Sequence, residues 1–247
     1  LPMVYFASLT YVSTLEDIEV EGVYYGAFEA RDGDMTPVFD ITYLFDLMDW
    51  YHAVRTFRET GSLLQIQELL DERKTSLFKQ GEQPRSLGEL TGPLRSTHES
   101  IASGLPLESG MASRSTLDAL EKLDEESVGL GVPVMEPLEE ELRRFEIPGS
   151  VSDKSDIDLS MDEMKREAEI IEYYVEKGNL QLALECLREL FINRLLLNSE
   201  DWLRRRKRKS TKEELFDVAH KDTDGGETPE VVKSWNRISG WRNFYAH

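Results

Sequence analysis

The stretch from Ser160 to Leu195 constrains the fold most. Ser160 followed three positions later by Glu163 is a helix-opening pair, and Met164, Ala168, Ile171 and Val175 then recur at helical spacing. The pattern predicts an amphipathic helix with that stripe inward. Gly178-Asn179 ends it, and a second helix carries Leu180, Ala183, Leu184, Leu187, Leu190, Phe191, Arg194 and Leu195. Two such helices joined by a tight turn form an antiparallel hairpin that needs more helices to cover it. A short helix near 212–220 follows, then a turn at 222–226. Thr228 as cap and Pro229 in the first turn open a last helix leading to Arg242. Residues 159–247 therefore read as an all-α bundle. The Gly-Asn turn between helices also fits a tetratricopeptide unit, but no second copy stands at the expected interval.

The front of the chain has a different texture. Residues 3–15 read as an apolar helix. Residues 18–30, with Val20, Val23, Tyr24, Tyr25, Ala27 and Phe28, read as a strand buried on both faces. A turn at Arg31-Asp32-Gly33-Asp34 leads to a second strand at 37–42. Helical spacing of Leu44, Leu47, Met48, Tyr51, Val54 and Phe57 runs to Gly61, and another helix covers 63–78. This order predicts part of an α/β sheet domain over residues 1–78. Between the two regions, residues 79–158 accumulate Gly, Ser, Pro and acid. They read as an acidic connector with short helices near 115–127 and 137–145. Leu1 and His247 both fall inside apparent helices, so the chain reads as truncated at both ends.

The formal charge of −19 argues at first against a polyanionic partner. The charge is uneven, however. Residues 82–160 hold 17 acidic and 7 basic side chains, whereas Arg204, Arg205, Arg206, Lys207, Arg208 and Lys209 form an unbroken basic run. Arg204, Arg205 and Arg206 are the candidates for touching a nucleic-acid backbone, with a solvated helix end as the plainer account. One cysteine, Cys186, excludes an internal disulfide, argues against a zinc site and suggests a buried thiol in a cytoplasmic protein. No apolar run is long enough to span a membrane, and no signal-peptide pattern stands in the first residues given.

Most other polar features have structural explanations. Asp40 and Thr42 suit capping of the next helix better than ligand binding. Gly26 within a strand suggests a bulge or a close approach, with packing the favoured cause. His52 and His98 have no partner at ligand spacing. Asp222, Asp224 and Glu227 lack the spacing of a calcium loop.

The last residues are the exception. Arg242, Asn243 and His247 offer a cation, an amide and an imidazole within one short helix, with Asn243 and His247 four apart on one face. A guanidinium forks onto phosphate oxygens, and an imidazole titrating near neutrality moves protons. That set suits a phosphodiester.

Taken together, the series Val23-Tyr24-Tyr25-Gly26-Ala27-Phe28-Glu29-Ala30, Val38-Phe39-Asp40-Ile41-Thr42 and Met48-Asp49-Trp50-Tyr51-His52-Ala53, with Phe57 and Gly61, resembles the later half of a CARF domain. The terminal Arg242-Asn243-Phe244-Tyr245-Ala246-His247 resembles the HEPN signature, R-x4-H with a polar second residue. The chain is thus similar to the CARF–HEPN ribonucleases of type III CRISPR systems. That resemblance implies an α/β plus all-α protein: a partial Rossmann-like CARF domain followed by a helical HEPN bundle. It implies a homodimer or higher oligomer that binds a cyclic oligoadenylate activator and then cuts single-stranded RNA without metal or cofactor. Arg242, Asn243 and His247 would be catalytic, and Gly26 and Glu29 would touch the activator. The competing reading is a nucleotide-sensing dimeric module whose HEPN bundle does no chemistry.

Overall fold

The computed structural model describes residues 22–123, 128–149, 151, 153–221 and 230–245. The chain divides into two compact units, Leu1–Asp49 and Trp50–His247. Its described residues are mostly helical, with nine α-helices and one small sheet.

In the first unit, β1 (Tyr24–Gly26) pairs antiparallel with β2 (Val38–Asp40) in the register Tyr24↔Asp40, Tyr25↔Phe39 and Gly26↔Val38. A bridge between Asp32 and Met35 closes the turn that joins them. Two expectations change here. Tyr24 is 67% exposed and Val38 66%, so this is not a strand buried on both faces. Paired strands of three residues make a hairpin, and the β-rich stretch after Gly26 turns instead into a 3-10 helix at Phe28–Ala30. The expected helix at 3–15, and the start of the strand before Gly22, lie outside the described residues. Asp40 does the local work expected of it. Its carboxylate accepts from the Thr42 backbone N–H (2.9 Å) and hydroxyl (2.6 Å), turning the chain into α1 (Tyr43–Thr60).

The second unit is a stack of helices: the latter part of α1, then α2 (Leu64–Lys79), α3 (Arg85–Ala102), α4 (Pro106–Leu120), α5 (Val132–Arg143), α6 (Met161–Glu176), α7 (Leu180–Leu196), α8 (Arg205–Lys221) and α9 (Glu230–Tyr245). The segment 79–158 is therefore no loose connector. Leu87, Leu90 and Leu94 on α3 and Leu138 and Leu142 on α5 are fully buried, in one cluster with Phe57, Ile66 and Leu70. Gly88, Gly92 and Pro93 disguise α3 as a loop, although its leucines keep helical spacing. The small residues of the segment make the contact between α3 and α4. Thr97, Ser100, Ser109, Ser113 and Thr116 are all buried, and the hydroxyls of Thr97 and Thr116 bond at 2.9 Å. Small side chains let helices approach closely; Thr97, Ser100, Ser109 and Thr116 also donate to carbonyls of their own helices, whereas Ser113 Oγ is buried without a partner.

The hairpin α6–α7 forms as expected at its caps. Ser160 Oγ accepts from the Glu163 N–H at 3.1 Å, and Asn179 Oδ1 from the Leu182 N–H at 3.3 Å. The inward face differs from the expected stripe. Val175 is exposed, whereas Met164, Ile170, Tyr173 and Tyr174 are buried together with Glu163, Arg166 and Glu167. Aromatic rings and polar side chains share the core side of α6 with Met164 and Ile170. Cys186 is buried as expected, and burial pushes its thiol up to about 12.

Where α1 ends, Gly61 has φ +79° and a Cβ there would stand 2.7 Å from the Tyr173 hydroxyl. Lys177, on the other side, donates to the Arg58 carbonyl and lies 4.9 Å from the Tyr173 ring centre. The Tyr173 hydroxyl itself is buried with no hydrogen-bond partner. Gly61→Ala is expected to lower stability by about 1–3 kcal/mol in urea denaturation, since both backbone and space oppose it. Tyr173→Phe removes an unpaired buried hydroxyl, so it is expected to leave stability unchanged or higher and to soften the Gly61→Ala loss in the double variant.

Candidate functional site

α9 carries two of the three terminal candidates. It is held to the bundle by Trp235 and Ile238, both buried, and the Arg188 guanidinium of α7 stacks on the Trp235 ring at 5.4 Å. Trp235 belongs to a core cluster with Ile192, Leu196, Trp202 and Leu215 from α7, the following turn and α8. Position 242 lies one turn beyond Ile238 and two beyond Trp235 in helical register, and position 243 follows it. Arg242 and Asn243 thus sit on a helix seated in the core. His247 lies outside the described residues.

The two candidates in the first unit are both exposed. Gly26 ends β1 opposite Val38 in regular register, and a Cβ there would meet nothing within 4 Å. Neither bulge nor close packing accounts for it. Glu29, in the 3-10 helix, accepts a hydrogen bond from the Tyr25 hydroxyl, which holds its carboxyl below the usual range and raises the phenol in return. Of the two histidines named above, His52 is exposed on α1. His98 Nδ1 accepts from the Leu63 N–H at 3.3 Å, satisfying the start of α2, and burial lowers its pKa against the opposing pull of Glu99. Both remain without a catalytic setting.

The basic run is helical, which moves the start of α8 well before the expected residue 212. Arg204, Arg205, Arg206, Lys207 and Lys209 are exposed around its first turns. Arg204 pairs with Asp201 at 2.8 Å and Lys209 with Glu213 at 3.6 Å, both exposed i,i+3 or i,i+4 pairs of small energetic consequence. Arg205, Arg206 and Lys207 have no ion pair among the described residues. Free backbone N–H groups and the helix dipole add positive potential at the same place.

Beneath that surface lies a polar cluster that the apolar pattern did not reveal. On α6, Arg166 forks onto Glu163 and donates its Nη1 to the carbonyls of Phe145 (2.9 Å) and Pro106 (3.1 Å). Gly110 makes room for it, since a Cβ there would stand 2.9 Å from that nitrogen. Glu167 has no cation of its own. Both its oxygens accept from Asn193 Nδ2 on α7, at 2.8 and 2.7 Å. Burial, with a further push from Glu163, raises Glu167 to about 7 against the pull of Asn193, Arg166 and Arg208. Burial also pushes Glu189 up, but hydrogen bonds from Lys212 and Arg208 outweigh it and leave that carboxyl below its usual range. The sequence signal was there: Glu163, Arg166 and Glu167 stand at helical spacing on one face.

An acid-lined cavity of about 290 Å³ lies at the start of α6, bordered by Glu146, Asp156, Asp158, Asp162 and Glu163. Its acidic lining disfavours an anionic ligand there. Among the described residues no three His, Cys, Asp or Glu side chains converge as metal ligands would, and no helix is long and apolar enough to cross a membrane. No family model matches the chain, and no curated protein matches it.

The Glu167 carboxyl makes stability depend on pH. Its native pKa lies above the ordinary carboxylate value, so the native state holds an extra proton between the two. The contribution is fully present below pH ~4.5 and is lost as pH rises through about 7. Glu167→Gln, which mimics the neutral acid, is expected to remove that dependence and to raise stability above pH 7 by about 2–3 kcal/mol. Urea titrations from pH 4.5 to 8 check both the slope and its loss.

Proposed function

We propose that this chain is a cyclic-oligoadenylate-activated, metal-independent endoribonuclease that cuts single-stranded RNA in type III CRISPR antiviral defence, acting as a homodimer or higher oligomer in the cytoplasm. In this reading residues 1–78 are the later part of a Rossmann-like CARF domain and 159–247 are a HEPN domain, while the helices of 79–158 pack on Phe57, Ile66 and Leu70 instead of forming a free connector. The observation that carries the reading is the Arg242-Asn243-x3-His247 signature at the end of a helical bundle, with Arg242 and Asn243 on a helix tied to the core by Trp235. The exposed basic start of α8 supports an anionic substrate, and the exposed pair Gly26 and Glu29 is open to an activator.

The chemistry uses the substrate's own ribose. The 2′-oxygen loses its proton and attacks phosphorus. The new P–O2′ bond forms as the P–O5′ bond breaks, and the 5′-oxygen takes up a proton. The products are a 2′,3′-cyclic phosphate and a 5′-hydroxyl. His247 moves protons, Arg242 neutralises charge gathering on the phosphate oxygens, and Asn243 orients the pair. Two such motifs, one from each subunit, build one site.

The test is cleavage of fluorescent single-stranded RNA with and without cyclic oligoadenylates, in EDTA. Cleavage is expected only with the ring nucleotide and should survive EDTA. His247→Ala is expected to lower it by about 10²–10⁴-fold while circular dichroism and sedimentation stay unchanged. Tight ring-nucleotide binding without cleavage would instead identify a non-catalytic sensor module. Neither binding nor cleavage would overturn the assignment.

A further inference from the structure

The basic run on α8 does not face solvent as one block. Arg208 folds inward. Its Nη1 donates to Asn193 Oδ1 at 2.7 Å and to the Trp202 carbonyl at 3.2 Å, and its Nη2 donates to Glu189 at 2.6 Å. One turn on, Lys212 donates to the other Glu189 oxygen at 2.8 Å. Asn193 is 3% exposed, and its amide nitrogen is committed to both oxygens of Glu167. A chain of fixed hydrogen bonds therefore runs from α6 through Asn193 to Arg208, and from Arg208 to the turn that launches α8.

We infer that Asn193 is a positioning residue for RNA binding: it orients Arg208, and through it the start of α8, so that Arg205, Arg206 and Lys207 meet the phosphodiester backbone while Arg208 does not. The inference rests on the single-stranded RNA reading above. Three observations carry it. A phosphate reaching Arg208 would have to displace a carboxylate, an amide oxygen and a backbone carbonyl already held in place. Arg205, Arg206 and Lys207 are exposed, without ion pairs among the described residues. The Trp202 carbonyl lies within the short turn between α7 and α8, so the Arg208 bond to it sets where the run begins. An asparagine fits the joint because it donates to a carboxylate with one end and accepts from a guanidinium with the other. A leucine at this point of the interior would leave Glu167 buried and unpaired.

The experiment is fluorescence anisotropy of a labelled single-stranded RNA oligonucleotide with the full chain, in EDTA and without ring nucleotide, across a salt series. Arg205→Ala and Arg206→Ala are each expected to flatten the dependence of log K on log salt by about 0.7, one phosphate contact on a single strand. Asn193→Ala changes no charge, yet it is expected to weaken binding about tenfold and to flatten the slope as contacts lose register. Arg208→Lys keeps the cation but not the fork, and is expected to behave the same way. The pair Glu167→Gln with Asn193→Asp reverses donor and acceptor at unchanged net charge and is expected to restore binding to within about twofold. Concentrations are set by stoichiometric titration, so a loss of folded protein alone would leave affinity and slope unchanged. Wild-type affinity and slope in Asn193→Ala, or in Arg208→Lys should the first variant not fold, would overturn the inference while leaving the RNA reading in place. No RNA binding by the unaltered protein would overturn both.

Discussion

An uncompensated carboxylate inside a protein is costly, and the second unit holds two buried ones, Glu163 and Glu167, with the partly exposed Glu189 beside them. Glu163 is answered by the Arg166 fork, Glu189 by Arg208 and Lys212, and Glu167 by the Asn193 amide alone. Each answer comes with a direction, because a guanidinium or an amide satisfies its partner in only one orientation. Apolar side chains can slide over one another at little cost, whereas these groups cannot. The polar joint therefore sets how α6, α7 and α8 meet, and the leucines and aromatics around it fill the space that this geometry leaves.

That joint also explains why the basic start of α8 is not uniform. A run of six cations looks like a single patch along the chain. Folded, it is partitioned by the helix: Arg208 turns to Glu189, the Asn193 amide oxygen and the Trp202 carbonyl, and its neighbours remain in water. The acid-lined cavity at the start of α6 shares Glu163 and Arg166 with the polar joint, so regions of opposite sign lie within one unit. A net charge of −19 is thus compatible with a local surface that attracts phosphate.

Much of the helical bundle could be read from the residues alone. Caps and turn residues act through their own backbone, so Ser160, Asn179 and Gly178 declared the α6–α7 hairpin reliably. Properties that depend on distant neighbours were harder to read. α3 was hidden because Gly88, Gly92 and Pro93 signal a loop locally, while its leucines earn their burial from α2, α4 and α5. The inward face of α6 was shifted because Arg166 and Glu167 read as solvent-facing until partners on other elements are known. The hairpin near the front was read as longer and more buried than it is, since aromatic and β-branched content reports a preference for strands and not their length. Of the candidate site, Arg242 and Asn243 lie on α9, whereas His247, which the four-residue spacing pairs with Asn243, lies outside the described residues. Asn193 and Arg208 could not have been singled out, because nothing along the chain links residues fifteen apart on different helices.

The buried lone thiol gives this protein an internal clock. Cys186 sits among Ile101, Tyr174 and Ala183, with its sulfur 3.6 Å from the Gly104 carbonyl, where α7 meets the end of α3. A neutral, enclosed thiol is inert to alkylating reagents until the helices part. Because the chain has one cysteine, every alkylation event in a sample records the same opening at the same place. Labelling rate against reagent concentration then separates how often the hairpin lifts from how long it stays open, with no probe to be introduced.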